Sequence, residues 1–239
     1  MAIPLPRAQT LQQRFGFGDN DLKSPNHDLL MRWLVEQVPT LGNRWLKPIG
    51  FSEGAIQGMR KQAANAVKNA IASCLDNIVH LENSKRWSDN IPSIDTRIQE
   101  KRARIAEYDN WQGLGIPPET SIDLAKIEWE KPIMSGKYII GFIDLVVWYT
   151  CPELAIAGLH SVLHNQLEDS NILPSWTLFE TDIPVYFEVK TQIESIGELI
   201  RQINMYREYV KGIFIVVSPD DRCQDILTSQ HIGFLKALL

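Results

Sequence analysis

Apolar residues recur every three to four positions through the first half of the chain and every two through much of the second. Residues 1–25 are polar and rich in Gly and Pro and read as an extended arm. SPNHDLLMRWLVEQV (24–38) opens with Ser24 as a cap and Pro25 just inside, and Leu29, Leu30, Trp33, Leu34 and Val38 form one helical stripe. Pro39 to Phe51, with Gly42, Pro48 and Gly50, reads as a loop. The proline-free stretch 52–87 carries Ile56, Met59, Ala63, Ala66, Val67, Ala70, Ile71, Cys74, Leu75, Ile78 and Leu81 at helical spacing, which predicts one long helix or two with a bend. SIDTRIQEKRARIAEYDNW (93–111) is a second helix with a charged face, followed by a Gly/Pro loop over 111–121.

After Asp123 the period shortens. LAKIEWEKPI (124–133) alternates, KYIIGFIDLVVWY (137–149) is β-branched and aromatic, and a turn at Ser135-Gly136 would join them as an antiparallel hairpin. LAIAGLHSVLHNQLE (154–168) is helical in pattern, and NILPSWTLFETD is a loop or short strand. IPVYFEVKT (183–191) is a strand, SIGELIRQINMYREYV (195–210) a helix, and GIFIVVS (212–218) a strand. DRCQDILTS and IGFLKAL close the chain as a short helix and a short strand. The strand–helix–strand crossover places 184–190 and 213–217 parallel and adjacent or nearly so. The fold class is therefore α/β, with a mixed central sheet flanked by helices and a helical N-terminal region. The expected divisions are 1–25, 26–123 and 124–239, with an insertion at about 150–182 and the first helix as a candidate part of the core.

Composition narrows the classes. With 44% apolar and 22% charged residues the chain is globular rather than disordered. A net charge of −5 excludes a polycation, although a local basic groove can coexist with an acidic total. Cys74, Cys151 and Cys223 make no metal or redox spacing, which suits a reduced, cytoplasmic setting. MAIPLPRAQTLQQRF has no long apolar core, so no signal peptide is expected, and no apolar run reaches membrane-span length. No G-x-x-x-x-G-K-[ST] loop or zinc-finger spacing occurs.

Candidate chemistry lies in the strands. In PVYFEVK, Val185, Phe187 and Val189 share one face, leaving Tyr186, Glu188 and Lys190 on the other. A carboxylate there can hold a hard cation, and a lysine beside it can orient water or neutralise charge developing on a phosphate. One carboxylate holds a divalent ion weakly, so a partner is needed. Asp144 offers one from within the apolar GFIDLVV, where an unpaired carboxylate would be costly; alone it reads sooner as a salt-bridge or strand-edge residue, and the Glu-x-Lys strand and crossover downstream reverse that balance. Glu198, Gln202 and Tyr206 fall at i, i+4 and i+8 on one stripe of the next helix, with Leu199, Ile203 and Tyr209 on the packing side.

Asp144, Glu188-Val189-Lys190 and Gln202-x-x-x-Tyr206, in this order and on these elements, resemble the PD-(D/E)XK nuclease superfamily and its RecB-like branch. The resemblance covers mostly residues 124–235. It implies a restriction-endonuclease-like core and Mg²⁺-dependent hydrolysis of nucleic-acid phosphodiesters, DNA above all, with Mn²⁺ as a substitute. It also implies Asp144 and Glu188 as metal ligands, with the Val189 carbonyl as a further oxygen donor. Lys190 would be the catalytic lysine, with Gln202 and Tyr206 supporting it or the nucleic acid. Relatives of that branch add a histidine or glutamate from an upstream helix; His27 is the first candidate and Glu36 the second. Two departures stand out. Asp144 and Glu188 lie 44 positions apart, so the intervening chain must loop out and return, and Asp182 is a rival acid. The three cysteines do not suffice for the iron–sulfur cluster of some relatives.

Other signals carry less. His160, His164 and Glu168 have the spacing of a transition-metal helix, but Ser161 stands where a zincin needs glutamate. Arg60, Lys61 and Lys68, and Arg97, Lys101, Arg102 and Arg104, are basic helix clusters that suit either phosphate contact or solvent. The helical N-terminal region is a candidate surface for a protein partner, and a homodimer is compatible with the sequence. The alternative function is a catalytically inactive nuclease-fold protein that binds nucleic acid or a protein.

Overall fold

The computed structural model describes residues 25–158 and 173–238. Their elements run α1 (Pro25–Trp45), α2 (Glu53–Ser84), a short 3₁₀ turn (Lys85–Trp87), α3 (Ile91–Asp109), β1 (Asp123–Ser135), β2 (Tyr138–Ala157), β3 (Ser175–Val189), α4 (Ile196–Arg207), β4 (Ile213–Ser218), α5 (Gln224–Ser229) and β5 (Gly233–Lys236). The strands form one mixed sheet in the order β1-β2-β3-β4-β5. β1 and β2 pair antiparallel, whereas β3, β4 and β5 pair in parallel. The expected α/β class, with helices flanking a mixed sheet and a helical N-terminal region, is present. The arm at 1–24 and the His160, His164, Glu168 segment lie outside the described residues.

The described residues divide into two compact units: 25–47, 122–151 and 181–238, and 48–121, 152–158 and 173–180. In the first, the sheet is covered on both faces. On one, Leu30, Met31, Leu34 and Val38 of α1 pack on Leu145, Val147, Phe187, Val189, Ile215 and Val217. On the other, Leu199 and Ile203 of α4 and Leu227 of α5 pack on Tyr186, Phe214 and Val216. Burial on both faces is why IFIVVS is apolar throughout instead of alternating. Each such side chain contributes on the order of 1.5–3 kcal/mol.

α1 does not stop at Pro39, as the loop reading of 39–51 required; it continues to Trp45. Its far end is held by tertiary contacts that outweigh the missing N–H of the proline. The Tyr149 hydroxyl donates to the Val38 carbonyl at 2.7 Å. Gly42 lies so close to Ile122 and Tyr149 that a Cβ would stand 2.9 Å from each. Asp28 in the first turn and Arg44 in the last complement the helix dipole.

In the second unit α2 is one continuous helix, capped by the Ser52 hydroxyl, which accepts from the Ala55 N–H. Ala66, Val67, Ala70 and Cys74 pack with Tyr108, and Ile78 and Leu81 with Ile94 and Ile98. Residues 154–157 are not the start of a helix; they end β2. The Leu154 N–H donates to the Ile49 carbonyl and the Ile49 N–H to Pro152, so the backbone bonds outward rather than along itself. β3 likewise begins at Ser175, eight residues before the predicted start at Ile183, and takes in WTLFETD.

Candidate active site

β3 and α4 meet where the apolar layer gives way to polar groups. Glu188 points to the α4 face, as the alternation predicts, and only 4% of it is exposed. Its Oε1 accepts from Gln202 Nε2 at 3.0 Å and from the Lys190 ammonium at 3.0 Å. The second hydrogen of the Gln202 amide goes to the Tyr206 hydroxyl at 2.9 Å, and that hydroxyl donates to the Phe142 carbonyl at 3.2 Å. One chain of hydrogen bonds thus runs from Lys190 through Glu188, Gln202 and Tyr206 to the backbone of β2. Burial and the Glu188 charge both push the Tyr206 phenol well above its ordinary range, so it stays a neutral donor.

Asp144 reaches the same place from β2. Its Oδ2 accepts the Val189 N–H at 2.7 Å, taking a hydrogen that a sheet neighbour's carbonyl would otherwise hold. This local parting of the ladder coincides with a break in the alternation of β2. Ile143 joins the core layer on the α4 side and Leu145 the layer on the α1 side, although they are two residues apart. The Asp144 Oδ1 lies 3.8 Å from His27 Nε2 in the first turn of α1. Burial disfavours the Asp144 charge, but His27, the Lys190 ammonium and the Val189 N–H together hold its carboxyl below the usual range. Lys190 therefore acts electrostatically on both carboxylates, and Asp144, Glu188 and Lys190 all act on Tyr206.

The structure brings together Asp144, Glu188, Val189, Lys190, Gln202, Tyr206 and His27. Gln202, Tyr206 and His27 are buried, not solvated helix polars. Glu36 is exposed and lies nine residues beyond His27, about 13 Å along α1 by helical rise, so it is not part of the cluster. Asp182 also lies apart, accepting a hydrogen bond from the Thr150 hydroxyl. Glu198 is exposed at the start of α4, and its N–H is capped by Ser195. Tyr209, expected on the packing side, is 41% exposed beyond the helix end.

One residue escaped the sequence reading. Glu130 of β1 has a backbone φ of +43°, in the left-handed region that glutamate rarely adopts. The pairs Trp129–Leu145 and Lys131–Ile143 place it opposite Asp144. Burial and the Asp144 charge push its carboxyl up, while His27 pulls the other way. The only available signal was an acidic residue in an alternating strand, and its partner position depends on a register shift in the hairpin.

Among the described residues, no three His, Cys, Asp or Glu side chains gather closely enough to form a metal cage by themselves. The donors present, two buried carboxylates and backbone oxygen, suit a hard cation that keeps part of its water shell, as magnesium does. No helix among the described residues is long and apolar enough to cross a membrane. No family model matches the chain, and no curated protein or solved structure matches it.

Proposed function

We propose that the chain is a metal-dependent nuclease of the PD-(D/E)XK type, with a restriction-endonuclease-like core, that hydrolyses phosphodiesters in nucleic acid, DNA first. The observation that supports this reading best is the single buried polar chain linking Lys190, Glu188, Gln202 and Tyr206, with Asp144 docked on the Val189 N–H beside it. A buried ion pair adds little net stability, so stability alone does not account for one in a sheet core. Clustered, perturbed ionisable groups are instead what reactive sites require.

In this reading Asp144 and Glu188 would hold Mg²⁺, with the Val189 carbonyl as a further oxygen donor. Bound there, the ion would acidify a coordinated water and screen the scissile phosphate. Glu188 keeps Lys190 aimed at the site, and Lys190 orients the attacking water or neutralises charge on the phosphate. Gln202 uses both amide hydrogens to fix the Glu188 carboxylate against Tyr206. His27 secures the free side of Asp144.

The test is the purified 239-residue chain with Mg²⁺ or Mn²⁺ on plasmid, linear duplex DNA, single-stranded DNA and RNA. Cleavage is expected, and Lys190→Ala or Asp144→Ala should lower its rate by roughly 10²–10⁴-fold, the range for a positioned reactive group. Glu36→Ala should leave the rate unchanged. Full-rate cleavage by Lys190→Ala would remove that lysine from the mechanism. The second reading is binding without chemistry. Tight nucleic-acid binding with no turnover under any of these conditions would establish it.

A further inference from the structure

We propose that Glu130 is a positioning residue of this same site, where its carboxylate holds water of a hydrated divalent cation opposite Asp144; this rests on the nuclease reading. Three independent features lead there. First, the hairpin register sets Glu130 across from Asp144, and the two carboxylates lie close enough to act on each other electrostatically. Second, its left-handed backbone is costly for a residue with a long side chain, and such outliers persist where the surroundings impose them for function. Third, the cations nearest in sequence do not serve it. Lys126 and Lys131 both bind Glu128 and hold that carboxyl down at about 2. No ion pair or side-chain hydrogen bond among the described residues engages the Glu130 carboxyl.

The groups that act on Glu130 are Asp144 on β2 and His27 and Asp28 in the first turn of α1. A half-buried carboxylate facing two other carboxylates is unfavourable in the bare protein and becomes favourable once a cation joins them. Direct ligation is not required, and the described side chains do not form a three-ligand cage. Magnesium commonly binds through one or two carboxylates and retains several waters. An acid placed just outside ligating range can accept hydrogen bonds from those waters and fix their orientation.

The experiment measures Mn²⁺ binding to the full chain by calorimetry and by electron paramagnetic resonance, alongside metal-free thermal unfolding, for wild type, Glu130→Gln, Glu130→Gly and Asp144→Ala. Glu130→Gly should raise the metal-free melting temperature by roughly 2–4 °C, because glycine tolerates positive φ, yet weaken Mn²⁺ binding roughly 10–100-fold, as loss of an outer-shell partner does. Glu130→Gln should weaken binding comparably with little change in melting. In cleavage, both should raise the metal concentration for half-maximal rate. If both Glu130 variants bind Mn²⁺ like wild type while Asp144→Ala does not, the role given to Glu130 is wrong and the nuclease reading stands. If wild type and Asp144→Ala alike bind no Mn²⁺ and cleave nothing, both fall together.

Discussion

Gly141→Ala is the sharpest probe of how the site is seated. A Cβ on Gly141 would stand 2.5 Å from the Tyr206 hydroxyl oxygen, 2.6 Å from Cε1 and 2.9 Å from Cζ. Ordinary carbon contacts begin at about 3.5 Å, so the ring must retreat by close to 1 Å. Tyr206 is fully buried and has no open side to move into. Overpacking of this kind costs roughly 1–3 kcal/mol. A shift of that size also breaks the hydrogen bonds of the hydroxyl to Gln202 and Phe142, each worth roughly 0.5–1.5 kcal/mol. The sum, about 2–6 kcal/mol, corresponds to a melting temperature lower by roughly 4–24 °C for a chain of this size. Differential scanning calorimetry and urea titration of the purified variant measure it. Gly58→Ala is the control, because nothing lies within 4 Å of its added methyl and mid-helix alanine should stabilise α2 by about 1 kcal/mol. Tyr206→Phe should not rescue Gly141→Ala, since the offending ring carbons remain. Tyr206→Leu should: in that background the alanine should cost far less than in wild type. A Gly141→Ala protein that melts with wild type, or costs the same in both backgrounds, would show that Tyr206 does not occupy this seat.

Two further outcomes follow from the electrostatics. Lys190→Met leaves the buried Glu188 carboxylate without its cation and should destabilise by roughly 3–5 kcal/mol in urea unfolding, whereas adding Glu188→Leu should recover most of that loss with activity still absent; a single variant within about 0.5 kcal/mol of wild type would contradict the burial of the pair. Because the Asp144 carboxyl is held below its unfolded value, its ionisation contributes stability above the ordinary carboxylate range that is lost as pH falls through the folded-state value. The stability advantage of wild type over Asp144→Asn should therefore shrink on going from about pH 7 to about pH 3, and a gap that stays flat or widens would refute the assigned direction.

Much of this was legible because the strands obey simple periodicities. PVYFEVK alternates faces as drawn, and the crossover through α4 sets β3 beside β4 in parallel. The helical stripe of Gln202 and Tyr206 is real, and its burial is what a polar-face reading could not supply, since a glutamine four residues from a tyrosine looks the same on a wet surface. The misplaced boundaries share one cause. At Pro39 and at 154–157, contacts from distant sequence decided the local structure: Tyr149 on Val38 in one case, Ile49 on Leu154 in the other. Local propensity carries no information about either partner.

Glu130 was hidden by a subtler effect. The turn pairs Ser135 with Tyr138 and Met134 with Ile139, and carrying that register inward would set Glu130 opposite Ile143. The irregularity between Ile133 and Met134 moves the pairing by one, and Glu130 then faces Asp144. A one-residue slip thus decides whether β1 contributes an acid to the site or none. The 44-residue gap between Asp144 and Glu188 has the opposite character: it is long in sequence and small in consequence. The Asp144–Val189 and Thr150–Asp182 contacts climb one strand as they descend the other, so β2 and β3 run antiparallel through this stretch. Whatever the chain does between 152 and 180, the paired stretches return Glu188 to Asp144. The length of that excursion therefore does not set the register of the carboxylates. By the same reasoning, a change at the Ile133–Met134 irregularity should disturb the site more than one of equal size in the excursion.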